Sequence, residues 1–249
     1  MSSEKQELAK TINVDTDYWS DKYVFAYLGY LISRLFVRTR FTPNQITWFW
    51  GGLLSFSSLL FIFNNWCLNI VGGICWIIGY SMDYSDGCIA RAKKIYSKRG
   101  MFLDYVNHTV SYFLLMSCIG IGVYRTGGCP YFDYLPDWVY LGLGLVAALG
   151  IDLILLMPTL YRRACGANAT SGDSADIEGS IAKNKKLFTI MMNLNPLTFT
   201  NMMILIVFFA LFGQMWLFIL VYGLGYFGGS TMRFILLYKS IPARDLSRE

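Results

Sequence analysis

The sequence is short of charge. Asp, Glu, Lys and Arg make up only 15% of its 249 residues, against about 25% in an ordinary soluble domain, so a soluble globular core is excluded. Its cysteines, Cys67, Cys75, Cys88, Cys118, Cys129 and Cys165, contain no CxxC pair and no regular spacing. That excludes the usual zinc-site and disulfide-framework patterns and leaves small packing residues, most of them inside apolar runs. The first 20 residues have no apolar stretch of the kind a cleavable signal needs, so insertion is expected to rely on later segments. There is no internal repeat. The formal net charge of +5 comes from Lys and Arg split among loops; with no single basic face carrying interleaved aromatics, nucleic acid is not an expected partner.

Apolar residues are abundant instead, at 55% of the chain, with 17% aromatic. They fall in runs of about 20, the length that crosses a hydrocarbon core of about 30 Å at 1.5 Å per residue. Six spans are predicted, at about Asn44 to Phe63, Trp66 to Met82, Phe102 to Tyr124, Trp138 to Tyr161, Asn201 to Gly213 and Trp216 to Tyr238. The fifth has room to begin earlier, near Leu194, with Pro196 in its first turn. An even number of spans puts 20 of the 21 Lys and Arg residues on one side and leaves Arg125 on the other. The positive-inside rule then places both termini in the cytoplasm.

The fold class expected is therefore all-α: an integral, multi-pass membrane protein with six transmembrane helices and an N-terminal interfacial amphipathic helix. Residues 1–43 read as a cytoplasmic N-terminal segment, 44–239 as the transmembrane domain and 240–249 as a cytoplasmic tail. The interfacial helix spans about Tyr18 to Arg38, with Tyr23, Tyr27, Tyr30 and Arg34 on one face and Val24, Leu28, Leu31 and Leu35 on another. It serves either as a wall at a substrate entrance or as a simple anchor. Gly166 to Ser180, small and polar without periodicity, reads as a mobile cytoplasmic loop.

Chemistry concentrates at the cytoplasmic end of the second span. Asp83, Asp86, Gly87, Ala90 and Arg91 recur at steps of three and four, one face of a helix that continues past the bilayer edge to about Lys94. Gly100, Asp104 and His108, the only histidine, recur at steps of four at the start of the third span. A short connection makes these helices antiparallel neighbours, and the small residues allow close approach. Asp83, Asp86 and Asp104 then share one small volume, where bare carboxylates would repel. A hard divalent cation, Mg²⁺ or Mn²⁺, resolves that repulsion, completed by water or phosphate oxygens. Arg91 offers a planar donor fork to phosphate. The plainer alternative is a solvated surface on which the carboxylates pair with Arg91, Lys93 or Lys94.

The run Asp83-x2-Asp86-Gly87-x2-Ala90-Arg91-x8-Gly100-x3-Asp104 resembles the signature of the CDP-alcohol phosphotransferase (CDP-alcohol phosphatidyltransferase) family. Seven specified positions coincide by chance on the order of 10⁻⁹ per window from average residue usage. The six spans and the Thr42-Pro43-Asn44 entry to the first also resemble the family. The resemblance implies a transferase in which an alcohol attacks the β-phosphorus of a CDP-alcohol and CMP leaves. It implies two metal ions, or one, held by Asp83, Asp86 and Asp104, with Asn44, Gly87, Ala90, Arg91 and Gly100 around the nucleotide. The donor implied is a CDP-linked lipid and the acceptor a small polar alcohol; the reverse pairing, a CDP-linked headgroup and a lipid alcohol, stays open. Homodimerisation is implied by the same analogy.

The family pattern ends with a fourth Asp, and this chain has His108 there. Three readings follow: a general base suited by an unperturbed pKa of about 6.5, a nitrogen ligand in an altered metal site, or a protein that binds nucleotide without turnover. Arg91 is expected to stabilise charge on the nonbridging oxygens. Asp152 inside the fourth span is either a functional group or a helix-positioning acceptor at a wet cavity. Arg233 near the end of the sixth either holds an anionic acceptor or snorkels to the headgroups.

Overall fold

A computed structural model describes residues 18–95, 97–131, 134–165 and 193–241. The loop expected over Gly166 to Ser180 and both chain ends lie outside these residues. Within them the regular structure is helical, with seven α-helices. A π-helical turn, Asp21–Phe25, leads into α1, Ala26–Phe36. The long helices follow: α2, Pro43–Leu60; α3, Trp66–Lys93; α4, Lys98–Arg125; α5, Asp137–Cys165. The last two are α6, Phe199–Leu211, and α7, Met215–Ser240.

Local chemistry sets these limits. Thr42 and Gln45 form a reciprocal capping box, with Pro43 in the first turn of α2. Asn65 Oδ1 accepts from the Cys67 and Leu68 amides at the start of α3, and Ser97 Oγ accepts from Gly100 N at the start of α4. Lys94, at φ 55°, ends α3 in a left-handed residue. The helix thus runs to the position the carboxylate stripe predicted.

Four helices are long and apolar enough to cross a bilayer: α2 with its following 3₁₀ turn (Pro43–Phe63), α4, α5 and α7. Among the described residues, α6 is a shorter apolar helix; at 1.5 Å per residue its length falls short of a hydrocarbon core. It starts at Phe199, later than the Leu194 start that the sequence left open. The residue before a proline is pushed out of the α region, and Asn195 precedes Pro196. Asn195 Oδ1 instead accepts from Leu197 N, and Asn201 Nδ2 donates to the carbonyls of Asn193 and Asn195.

In the bundle α2 packs on α3 and α4, α4 on α5, α5 on α7, and α3 on α1 and α6. Where α4 and α5 cross, a Cβ added to Gly120 would come within 2.9 Å of Gly144 Cα, so backbone lies on backbone as small residues permit between membrane helices. None of the six cysteines is joined in a disulfide among the described residues. Neither predicted face of α1 is the one that packs inward: Phe25, Ala26, Gly29 and Ser33 are buried, while Tyr23, Tyr27, Leu31 and Leu35 are exposed. Gly29 lies so close to α3 that a Cβ there would be 2.6 Å from Tyr84 Cβ and 2.8 Å from the Ser81 carbonyl. Gly29 therefore sets the close approach, with Phe25, Ile32 and Phe36 packing against the core beside it.

Candidate active site

Three helix ends meet at the site. The last turns of α3 supply Asp83, Asp86, Gly87, Ala90 and Arg91, the first turns of α4 supply Gly100, Asp104 and His108, and the first turns of α2 supply Asn44, Thr47 and Trp50. Lys93 Nζ holds the loop before α2, donating to the carbonyls of Thr39 at 2.9 Å and Phe41 at 2.8 Å.

His108 Nε2 lies 3.5 Å from both Asp83 Oδ2 and Asp104 Oδ1. One ligand atom from each of Asp83, Asp104 and His108 lies within 4.8 Å of the others. Asp104 Oδ1 is buried and has no hydrogen-bond partner. An unpaired carboxylate oxygen costs free energy that a bound cation would remove, so the residues fit a divalent ion. The grouping differs from the expected trio by one residue, with His108 beside Asp83 and Asp104. Asp86 is fixed a little apart: its Oδ2 accepts from Thr47 Oγ1 at 2.7 Å and from Trp50 Nε1 at 2.9 Å. Asp86 lies past the bilayer edge on the reading above. Burial, reinforced by the Asp83 charge, pushes its carboxyl up to about 7 against the opposing pull of those two donors.

Beside the cluster a cavity of about 460 Å³ opens between the three helix ends, lined by Asn44, Thr47, Asp86, Ala90, Gly100 and Asp104 among others. Asn44 Oδ1 accepts from Ser97 Oγ at 3.2 Å. A Cβ on Gly100 would stand 2.5 Å from that same Asn44 oxygen, so a side chain there would displace Asn44 from its place at this wall. The volume suits a small organic ligand. Arg91 is exposed and folds back along its own helix, with Nη2 3.6 Å from Cys88 Sγ and the guanidinium lying over Gly87.

Arg233 stands elsewhere, in a second cavity of about 490 Å³ shared with Asp21, Tyr80, Thr200 and Tyr226. Its Nε is buried without a hydrogen-bond partner, as is Asp152 Oδ1 on α5. Asp152 lies two residues before Ile154, which lines this second cavity.

Thr47 and Trp50, the donors that orient Asp86, were not singled out in the sequence. Their signal is Asn44-x2-Thr47-x2-Trp50, polar-capable groups at steps of three on an otherwise apolar helix. Asn107 is a second omission: its Nδ2 donates to the Thr47 carbonyl at 2.7 Å, in the space left by Gly51.

Apolar helices with a carboxylate–imidazole cluster and a cavity at one end of the bundle define a class, the multi-pass membrane enzyme with its reactive groups gathered at the helix ends. The chain belongs to the CDP-alcohol phosphatidyltransferase family, whose family model matches residues 40–226, most of the sequence. No curated protein matches the chain. Membership implies CDP-alcohol phosphotransfer with release of CMP, in a family that is typically metal-dependent.

Proposed function

We propose that this protein transfers a substituted phosphoryl group of the phosphatidyl type from a CDP-linked lipid to the hydroxyl of a small polar alcohol, in phospholipid biosynthesis. The observation that carries the reading is the Asp83–Asp104–His108 cluster, whose Asp104 lines a cavity together with Asp86, Asn44, Ala90 and Gly100. The acceptor oxygen forms a bond to the β-phosphorus, the bond from that phosphorus to the bridging oxygen breaks, and the electron pair leaves with CMP. The acceptor's proton passes to a carboxylate or the imidazole of the cluster.

Asp83, Asp86 and Asp104 would hold one or two Mg²⁺ or Mn²⁺ ions, with His108 beside them. Such an ion supplies charge neutralisation on the diphosphate and on departing CMP. Asn44, Ala90 and Gly100 shape the cavity for the cytidine, and Gly87 keeps the α3 surface bare next to it. Arg91 reaches the nonbridging oxygens by releasing its contact with Cys88, a movement that its exposure permits. Arg233 provides a cationic wall for an anionic acceptor in the second cavity, which Ile154, two residues beyond Asp152, also lines.

In the bilayer we place six segments, the four long apolar helices α2, α4, α5 and α7 with α3 and the short α6 packed among them, with α1 along the cytoplasmic surface and both termini on that side. The exposed Trp19, Tyr23, Tyr27 and Leu35 of the α1 region support its interfacial position. A homodimer is the expected assembly. The test is CMP release by the purified protein from a CDP-linked diacyl lipid, across a panel of polar alcohols, with and without EDTA. Release that needs both the ion and one class of alcohol supports transfer. Saturable nucleotide binding without release across the panel identifies a non-catalytic binder, and release only from a CDP-linked headgroup with a lipid alcohol reverses donor and acceptor.

A further inference from the structure

We propose that His108 is a nitrogen ligand of the site's divalent ion, and that it makes this protein select a transition ion such as Mn²⁺ or Co²⁺ over Mg²⁺. The inference rests on the metal-dependent reading above and concerns which ion the site takes.

Geometry carries it. His108 Nε2 is 3.5 Å from Asp83 Oδ2 and 3.5 Å from Asp104 Oδ1. That is too long for a good hydrogen bond to either. It is close to the separation of about 3.0–3.4 Å between neighbouring atoms that each lie about 2.1 Å from a shared ion, in octahedral or tetrahedral arrangement. Asp104 Oδ1 has no other partner although it is buried. The ring is also held in place: His108 stacks on Tyr112 with 14° between planes and 6.0 Å between centroids, and Trp50 lies 5.1 Å away. An imidazole fixed by aromatic neighbours and aimed between two carboxylates is arranged as a ligand.

Donor chemistry then sets the preference. Carboxylates and water suit Mg²⁺, whereas an imidazole nitrogen favours first-row transition ions over it, least for Mn²⁺ and increasingly along the Irving–Williams order toward Co²⁺. Replacing a carboxylate by imidazole also removes one negative charge, which weakens the hold on a hard, strongly hydrated ion more than on a borderline one. With Nε2 on the ion, the acceptor's proton is left to a carboxylate facing the cavity, Asp86 or Asp104.

The single histidine makes the test direct. The full chain, purified in detergent on a histidine-free tag and stripped of metal, is loaded with Mn²⁺ alone, with the histidine carrying ¹⁴N in one sample and ¹⁵N in the other. Pulsed electron paramagnetic resonance is expected to show a nitrogen coupling that changes with the isotope. Equilibrium dialysis gives the ratio of Mn²⁺ to Mg²⁺ affinity, which His108→Asp is expected to lower by at least about tenfold, the smaller end of what even outer-shell changes cost a metal site. Bound Mn²⁺ with no nitrogen coupling overturns the proposal and leaves His108 as proton acceptor; an unchanged affinity ratio in a folded His108→Asp protein overturns the selectivity. Failure of the wild-type chain to bind Mn²⁺ at all overturns the metal-dependent reading beneath it, an outcome distinct from the other two.

Discussion

Trp50→Phe isolates what the donors around Asp86 do. The substitution keeps a ring against His108 but removes the indole N–H that Asp86 Oδ2 accepts at 2.9 Å, leaving the 2.7 Å bond from Thr47. A hydrogen bond to a charged acceptor contributes about 1.5–3 kcal/mol. Because Thr47 remains, the lower end applies, and about 1.4 kcal/mol corresponds to one pH unit. The carboxyl already stands at about 7, raised by burial and Asp83 and held down by these donors, so losing one moves it higher. More of it is then protonated at a given pH, and a divalent ion must displace that proton. The expected result is an acid limb of CMP release shifted up by about one pH unit, with half-saturation by Mn²⁺ near pH 7 weakened about fivefold by proton competition. Thr47→Val should act in the same direction, and the double variant should exceed either single change because both donors serve one oxygen. Thermal unfolding of each variant separates this effect from loss of fold. Unchanged pH limbs and unchanged Mn²⁺ half-saturation in both single variants would refute the reasoning.

Three further outcomes are expected. Gly100→Ala places a methyl 2.5 Å from Asn44 Oδ1 and 3.0 Å from Ser97 Oγ; CDP binding should fall at least tenfold while the helix content by circular dichroism is kept, and unchanged CDP affinity contradicts the placement of the nucleotide. Lys93→Met removes two charge-assisted bonds to Thr39 and Phe41; unfolding should become easier by about 1–3 kcal/mol, with faster proteolysis before α2, and equal proteolysis refutes the clamp. In metal-free protein, folded Asp86 holds a proton that the unfolded chain releases from about pH 4 upward, since its folded pKa is the higher one, near 7. Stability from this group is therefore complete below about pH 4 and is lost as pH rises toward 7. Added Mn²⁺ should flatten that decline in the thermal midpoint, and a midpoint insensitive to Mn²⁺ at pH 8 argues against an ion beside Asp86.

The grouping of the candidate site's residues was legible in sequence where helical periodicity was enough. Asp83, Asp86 and Ala90 on one helix, and Gly100, Asp104 and His108 on the next, needed only steps of three and four plus a short connection. The extension of α3 to Lys93 followed from the same stripe. What lay beyond was decided by contacts between distant segments. Thr47 and Trp50 meet Asp86 across 39 and 36 residues, and nothing local marks an indole as a hydrogen-bond donor to a carboxylate. The inward face of α1 was missed because hydrophobicity ranks Tyr23, Tyr27 and Leu31 above Gly29 and Ser33, whereas close helix approach favours the small residues. In lipid, large apolar side chains have no need to turn inward.

In the proposed mechanism the ion and the diphosphate meet where the ends of α2, α3 and α4 converge. This placement is tested most directly by an experimental structure of the protein with Mn²⁺ and CDP, with anomalous differences collected at the manganese edge. A peak is expected among Asp83, Asp104 and His108, and cytidine in the cavity walled by Asn44 and Gly100. Manganese bound away from all three residues, or cytidine seated in the Arg233 cavity instead, would contradict it.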